Sequence, residues 1–421
     1  MKRLLTVTIL AGLLTLFKML MGFIIAKAVA VNTGPAGMAL IGQVQSIVAG
    51  LTGAVNSPGS VAVVRYTSEH HSEGVEKCSP WWRASVYWTL VILGVMVPCG
   101  VLFSNNISSW LFNTKEYWWL IILVMFCLPF SALGNIIISV INGKQSYKKY
   151  MVLGFVSTLL SGALMLFFIY KYNIRGALIA CAMQSGITGI IVFLACFREQ
   201  WIKPKLWFGS VDREHKNKVF SYILMSLISA ISMPATLIIV RNVIIANDGW
   251  SAAGEWQAVW KISEAYLGVI TIALGTYFLP KISALQNMLE IKRITNQFAT
   301  LIIPAVILMA VIIYFSRDFA IKLLFTSDFL GARELFLVQL VGDVIKIICW
   351  LYSYSLLSKG IVKQYIFLEL LYSVVFVISA YIFVPMFGVS GANYAYCLAY
   401  LIYLFATLII VKSLSKSTSK L

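Results

Sequence analysis

The chain has 421 residues, 60% of them hydrophobic and only 12% charged, and a mean hydropathy of +0.88. A soluble globular domain carries about 25% charged and 45–50% apolar residues, so a soluble fold is excluded and a polytopic helical membrane protein is expected. The net charge of +17 does not indicate nucleic acid, because the basic residues sit in short connectors between apolar runs, as membrane topology requires.

The apolar runs give twelve spans, roughly 4–31, 38–64, 84–103, 117–141, 151–170, 177–197, 219–246, 255–279, 298–316, 334–358, 365–385 and 392–411, each long enough to cross a bilayer. The run from Leu4 to Val31 is too long for the apolar segment of a cleaved signal. Connectors on one side hold 22 Lys and Arg and those on the other side 6. By the positive-inside rule both termini are then cytoplasmic. Trp81, Trp82, Trp118, Trp119, Trp201 and Trp207 fall at span ends, where an interfacial belt is expected.

One face of span one carries Gly12, Thr15, Lys18 and Gly22, and one face of span two carries Gln45, Ala49, Thr52, Asn56 and Ser60. Small residues at this spacing predict close helix packing. Lys18 is different, since it lies too deep in its span to reach an interface, whereas Lys27 is placed to snorkel. Span eight carries Gln257, Lys261, Glu264, Gly268, Thr271 and Gly275 at steps of three and four, and span ten repeats the pattern with Gln339, Asp343, Lys346, Trp350 and Ser353. Two readings of these seams stay open: a packing seam with Lys261 and Glu264 paired one turn apart, or a lining for a water-filled interior. If the seams face each other, Lys261–Asp343 and Glu264–Lys346 pairs are expected. Arg241 and Glu369 add charges within the same half.

The two halves look alike. Tyr172-Asn173-Ile174-Arg175-Gly176-Ala177 before span six matches Phe387-Gly388-Val389-Ser390-Gly391-Ala392 before span twelve. Gly143 and Tyr150 match Gly360 and Tyr365, and Ser104 with Leu111-Phe112 matches Ser316 with Leu324-Phe325. Two copies of a six-helix unit in the same orientation follow, with lobes at 1–210 and 211–421 joined by the basic connector 198–218. The expected architecture is all-α, two pseudo-symmetric six-helix lobes around a central cavity.

Signals for chemistry are few. No phosphate-binding glycine loop or zinc spacing is present, and the seven cysteines show no paired spacing. Glu69-His70-His71-Ser72-Glu73 reads as a solvated loop, not a metal site. The longest outer connector, 317–333, has about 17 residues, too little for the catalytic loop of a glycan polymerase or ligase. Transport is the stronger class. The basic surplus of the intramembrane charges (Lys18, Arg241, Lys261 and Lys346 against Glu264, Asp343 and Glu369) suits an anionic solute, phosphate being the natural counterpart, and argues against a multidrug antiporter for cations.

The chain also resembles the Wzx flippases of the multidrug/oligosaccharidyl-lipid/polysaccharide exporter superfamily, with most likeness to those serving enterobacterial common antigen. The resemblance rests on Phe17-Lys18, Ala26-Lys27 with Gly34-Pro35-Ala36-Gly37, Glu255-Trp256-Gln257 through Ile262-Ser263-Glu264-Ala265-Tyr266, Phe278-Leu279-Pro280, Arg317-Asp318-Phe319-Ala320-Ile321, and Gln339-Leu340-Val341-Gly342-Asp343-Val344 with Lys346. It implies an inner-membrane carrier, without cofactor, that moves an undecaprenyl-pyrophosphate-linked oligosaccharide of O-antigen or enterobacterial common antigen type to the periplasmic leaflet by alternating access. It also implies antiport of a proton or sodium ion, and an O-antigen polymerase and chain-length regulator as partners. Assigned to the seams above, Lys18, Arg241 and Lys261 would attract the pyrophosphate. Glu264 or Asp343 would bind the coupling ion, with Lys346 and Glu369 in the same network.

Overall fold

In the computed structural model, residues 2–285 and 287–418 are described, and every regular element among them is helical. In chain order these are α1 Lys2–His70, α2 Val75–Leu102, α3 Ser104–Phe112, α4 Trp118–Gly143, α5 Tyr147–Cys196, α6 Pro204–Trp207, α7 Arg213–Ala273, α8 Leu279–Ser283, α9 Met288–Leu324, α10 Phe336–Ser358, α11 Val362–Phe387 and α12 Ser390–Thr418. Nine runs among the described residues are long and apolar enough to cross a membrane. Three of them, α1, α5 and α7, are each interrupted by one residue with non-helical backbone, Gly34, Asn173 and Gly249. Divided at these breaks the nine runs become twelve segments.

The breaks have a local cause. Gly34 and Gly249 adopt φ of 63° and 85°, a region that costs glycine nothing and that asparagine tolerates better than most residues. They also recur with a fixed period. Gly34 and Gly249, Gln145 and Gly360, and Asn173 and Gly388 all have positive φ and each pair stands 215 residues apart. A close approach recurs at the same interval: a Cβ on Gly176 would collide with the Phe168 carbonyl, and one on Gly391 with the Phe383 carbonyl. The repeat seen in the letters is therefore a repeat of backbone geometry.

By contact the chain divides into one unit of residues 1–32 and 43–235 and another of 33–42 and 236–421. In the first, the connector 198–218 is docked, not loose. Trp82 is wholly buried, stacks on Trp207 with ring centroids 4.7 Å apart, and donates to Thr67 at 2.9 Å. Ser79 and Arg83 donate to the carbonyls of Leu206 and Lys205, both at 2.6 Å, and Lys149 pairs with Glu199. Of the six tryptophans at span ends, Trp81, Trp82 and Trp201 are buried inside the unit and only Trp118 stands well exposed, because the connector supplies apolar and stacking partners.

In the second unit α10, α11 and α12 pack together around Phe336, Phe376, Tyr396 and Tyr403. The segment 33–42 belongs to this unit: a Cβ on Gly254 would meet the Pro35 carbonyl, and one on Gly42 would lie 2.8 Å from the Gln257 side chain. The last turn of the α7 run passes into a π-helical stretch, Leu274–Phe278, a geometry that concentrates near functional sites.

Candidate functional site

The first unit holds a cavity of about 460 Å³ lined by segments of α1, α4 and α5, within the size range of ligand pockets. Lys18, Gly22, Thr52, Asn56, Asn135 and Gln184 line it. Polar residues thus converge from five spans, Thr52 and Asn56 from the predicted seam of span two. The glycines of span one do not pack closely: a Cβ on Gly12 or Gly22 would meet nothing within 4 Å, because this face borders open space. That corrects the packing expectation.

Lys18 is exposed to the cavity and has no hydrogen-bond or ion-pair partner among the described residues. No Asp, Glu or second cation appears in the lining. The amides around it are partly engaged. Asn135 donates to the Asn56 backbone carbonyl at 3.1 Å, Asn56 reaches Ser131 Oγ at 3.5 Å, and Asn56 Oδ1 has no donor. Thr52 and Thr158 donate back to carbonyls one turn earlier at 2.6 and 2.7 Å, which leaves their oxygens as acceptors.

The second unit holds a contrasting arrangement. Asp343 on α10 is fully buried. Its Oδ2 accepts from Tyr266 Oη at 2.8 Å, and its Oδ1 from Tyr396 Oη at 2.8 Å and Gln339 Nε2 at 3.2 Å. Gln339 Oε1 in turn accepts from Asn393 at 3.2 Å. Lys346, one turn further along α10, is buried among rings, its Nζ lying 4.9 Å from the centroid of Trp350, 5.7 Å from Trp260 and 5.9 Å from Tyr400. These are cation–π distances. Trp260 also donates to Glu264 Oε1 at 3.0 Å, while Lys261 pairs with Glu264 at 3.3 Å. Glu369 accepts from Tyr403 at 3.5 Å. Arg241 is buried, donates to Gln257 Oε1 at 2.6 Å, and lies 5.7 Å over Trp256.

The structure therefore brings span eight to span ten but not through the pairs expected. Among the described residues neither Lys261–Asp343 nor Glu264–Lys346 forms an ion pair. Lys261 and Glu264 satisfy each other locally, Asp343 takes tyrosine hydroxyls in place of a cation, and Lys346 takes aromatic faces in place of a carboxylate. Sequence reasoning missed those aromatics. Tyr396, Tyr400 and Tyr403 share one face of α12 at steps of four and three, a legible signal, but tyrosine in a membrane span reads first as an interfacial residue. Asn135 and Gln184, polar residues within apolar spans, were equally visible and equally unassigned. Among the described residues no three His, Cys, Asp or Glu side chains cluster to hold a metal ion.

Comparison with known proteins gives four findings. The family described as "Polysaccharide biosynthesis protein" matches residues 4–286. The lipid III flippase of Escherichia coli strain K12 is 28% identical over 395 residues, covering 92% of this chain and 93% of that protein. An inward-facing multidrug resistance MATE family transporter of the MOP superfamily superposes with a TM-score of 0.82 at 15% identity, over 98% of this chain and 99% of that one. The lipid II flippase MurJ in an inward closed conformation gives 0.74 at 17% identity, over 97% and 87%. At such identities the structural likeness speaks for the fold alone, and the fold is that of these transporters.

Proposed function

This chain belongs to the polysaccharide biosynthesis protein family, and from that membership we propose that it is a flippase, a transporter and not an enzyme, that carries lipid-linked oligosaccharide repeat units across the membrane. The substrate is an undecaprenyl-pyrophosphate-linked repeat unit of O-antigen or enterobacterial common antigen type. It moves from the cytoplasmic to the periplasmic leaflet of the inner membrane, and both chain termini are cytoplasmic. Likeness to a lipid III flippase along nine-tenths of the chain supports the substrate class. The 22 to 6 asymmetry of basic residues supports the orientation.

The observation that carries the reading is Lys18, an unpaired cation in a cavity otherwise lined by amides, hydroxyls and apolar groups. A glycan head cannot cross hydrocarbon without replacement of its hydration, and a polar, positively charged chamber supplies that replacement while the lipid tail stays in the bilayer. A cationic drug would want carboxylates in the lining, and none is there. The repeat units at 1–210 and 211–421 act as the lobes of an alternating-access cycle. Lys18, Arg241 and Lys261 serve the anionic part of the substrate. Glu264, Asp343, Lys346 and Glu369 form the network that takes up the coupling ion, proton or sodium. Handover to a glycan polymerase and chain-length regulator follows at the outer leaflet.

Deletion of the gene tests the function directly. Lipid-linked repeat units should accumulate in the cytoplasmic leaflet and disappear from it again on complementation; an unchanged leaflet distribution refutes the reading. For orientation, single cysteines at Asn247 and Ser327 should react with an impermeant thiol reagent in intact cells, and one at Ser210 should not.

A further inference from the structure

The basic side of the first unit carries a second cluster, no part of the cavity lining. Lys144 caps the C-terminal end of α4, and its Nζ lies 5.3 Å from the centroid of Trp201, a ring buried in the docked connector. It forms no side-chain hydrogen bond or ion pair among the described residues, because the nearby carboxylate of Glu199 is taken by Lys149. Lys144 is half-buried. Loss of hydration, foremost, holds its ammonium below the ordinary lysine value, although Glu199 opposes that. His71 stands in the turn between α1 and α2, a stretch expected to be solvated, yet its Nδ1 is buried without a hydrogen-bond partner among the described residues. Burial first, and the charge of Lys144 second, hold this imidazole below its ordinary value. A desolvated cation and an orphaned ring nitrogen are each costly, and one anion with several acceptor oxygens would satisfy both.

The surroundings select the kind of anion. Phe197 and Phe208 flank the connector segment that holds Trp201, and they stand 63% and 61% exposed. Arg198, Lys203 and Lys205, between them in the chain, are exposed as well. Exposed rings interleaved with basic residues at the end of an apolar span mark the headgroup level of a bilayer, and anionic lipids are drawn to such segments. With Lys149 and Glu199 cancelling each other, Lys144 leaves one positive charge at the centre of the cluster, which a phosphodiester matches one to one. We propose that Lys144, His71 and Trp201 form a binding site for the headgroup of a monoanionic glycerophospholipid. The phosphodiester lies against Lys144 and His71, and the acyl chains run beside Phe197 and Phe208. A lipid held there ties together the end of α4, the turn between α1 and α2, and the connector. The site stands independently of the flippase reading.

The test uses the full-length protein, purified in a neutral detergent and stripped of lipid, with three probes: dioleoylphosphatidylglycerol, dioleoylphosphatidylcholine and inorganic phosphate. Bound lipid is titrated by native mass spectrometry. Phosphatidylglycerol should bind more tightly than phosphatidylcholine, whose own cation neutralises its phosphodiester, and should raise the melting temperature more. Lys144→Gln should weaken phosphatidylglycerol about tenfold, leave phosphatidylcholine unchanged, and be largely rescued by Lys144→Arg. Lys363→Gln, at an exposed lysine of the second unit, should change neither. His71→Phe, which keeps a ring and removes the nitrogens, should weaken phosphatidylglycerol about threefold, and it decides the matter even where Lys144→Gln does not fold. Equal affinity for the two lipids overturns the proposal. Equal losses in Lys144→Gln and Lys363→Gln overturn it too, since they would mark diffuse attraction to surface charge. Full displacement of phosphatidylglycerol by inorganic phosphate would likewise overturn it, by marking a site for a free anion.

Discussion

Lys18 and Asp343 are both ionisable groups set deep in apolar spans, yet their surroundings are opposite. Lys18 stands at the edge of a cavity with no partner among the described residues. Asp343 is sealed from solvent, with two tyrosine hydroxyls and an amide donating to its carboxylate. An unsatisfied charge beside open space is a binding group, since any ligand of opposite sign gains by replacing water there. A satisfied buried charge is a different object. A ligand or proton reaches it only after its donors move. The first unit leaves a charge open to its cavity, and the second encloses one among its own donors.

The largest effect is expected where this contrast is broken from the second side. Asp343→Ala leaves Tyr266, Tyr396 and Gln339 without their acceptor in a buried site, and should destabilise the protein by roughly 3 kcal/mol or more, with lost abundance and lost export. Because Lys346 stays behind as a buried cation, Asp343→Asn combined with Lys346→Met should be more stable than the two single effects summed, a coupling that a double-mutant cycle of thermal unfolding measures. Next comes the first side. Lys18→Ala should reduce glycan export at least about tenfold while changing stability by less than about 0.5 kcal/mol, since nothing in the protein loses a partner. Normal export in Lys18→Ala at normal abundance would show that the cavity does not meet the substrate.

Much of this was legible before any coordinates. Composition and the charge of the connectors gave the membrane class, and the match of Tyr172–Ala177 to Phe387–Ala392 anticipated the backbone repeat of Asn173 with Gly388. Seam spacing singled out Lys18 and Asn56, which line the cavity, Asp343 and Lys346, which are buried, and Lys261 and Glu264, which pair with each other while staying partly exposed. Spacing places a residue on a face, however, and does not say what the neighbouring helix offers it. Asp343 is 53 residues from Tyr396 in the chain, and nothing in α10 alone announces that a hydroxyl and not an ammonium will meet it. The burial of Trp82 under the connector was hidden for the same reason: the partner, Trp207, lies in a stretch that reads as loop.

A smaller perturbation tests the packing around the Arg241–Gln257 pair of the second unit. Gly42 lies against the Arg241–Gln257 pair, and a Cβ there would come within 2.8 Å of Gln257 Oε1 and 3.2 Å of Arg241 Cζ. Gly42→Ala should therefore cost about 1–3 kcal/mol by overpacking and impair export only in proportion to abundance. Export lost at full abundance would instead mark Arg241 as a group the substrate needs.

The smallest effect comes from a control lying outside both interiors. Lys149 and Glu199 pair at the foot of the docked connector, with side-chain exposures of 32% and 41%, so water screens the interaction and its worth is about 0.5 kcal/mol. The hydrogen bond from Lys149, foremost, holds the Glu199 carboxyl below its ordinary value of 4.5. A group whose pKa is lower folded than unfolded stabilises the fold above the ordinary value and ceases to do so as pH falls through the lowered one. Wild type should thus exceed Glu199→Gln slightly in melting temperature at about pH 7, and the difference should vanish as pH falls through the lowered carboxyl value. A gap that persists unchanged in acid would mean that Glu199 acts through its hydrogen bond from Trp201 Nε1, at 3.1 Å, which the amide oxygen of glutamine also accepts less strongly, and not through its charge. A gap of several kcal/mol would go further, since it would show that water screens this edge of the first unit no better than it screens Asp343.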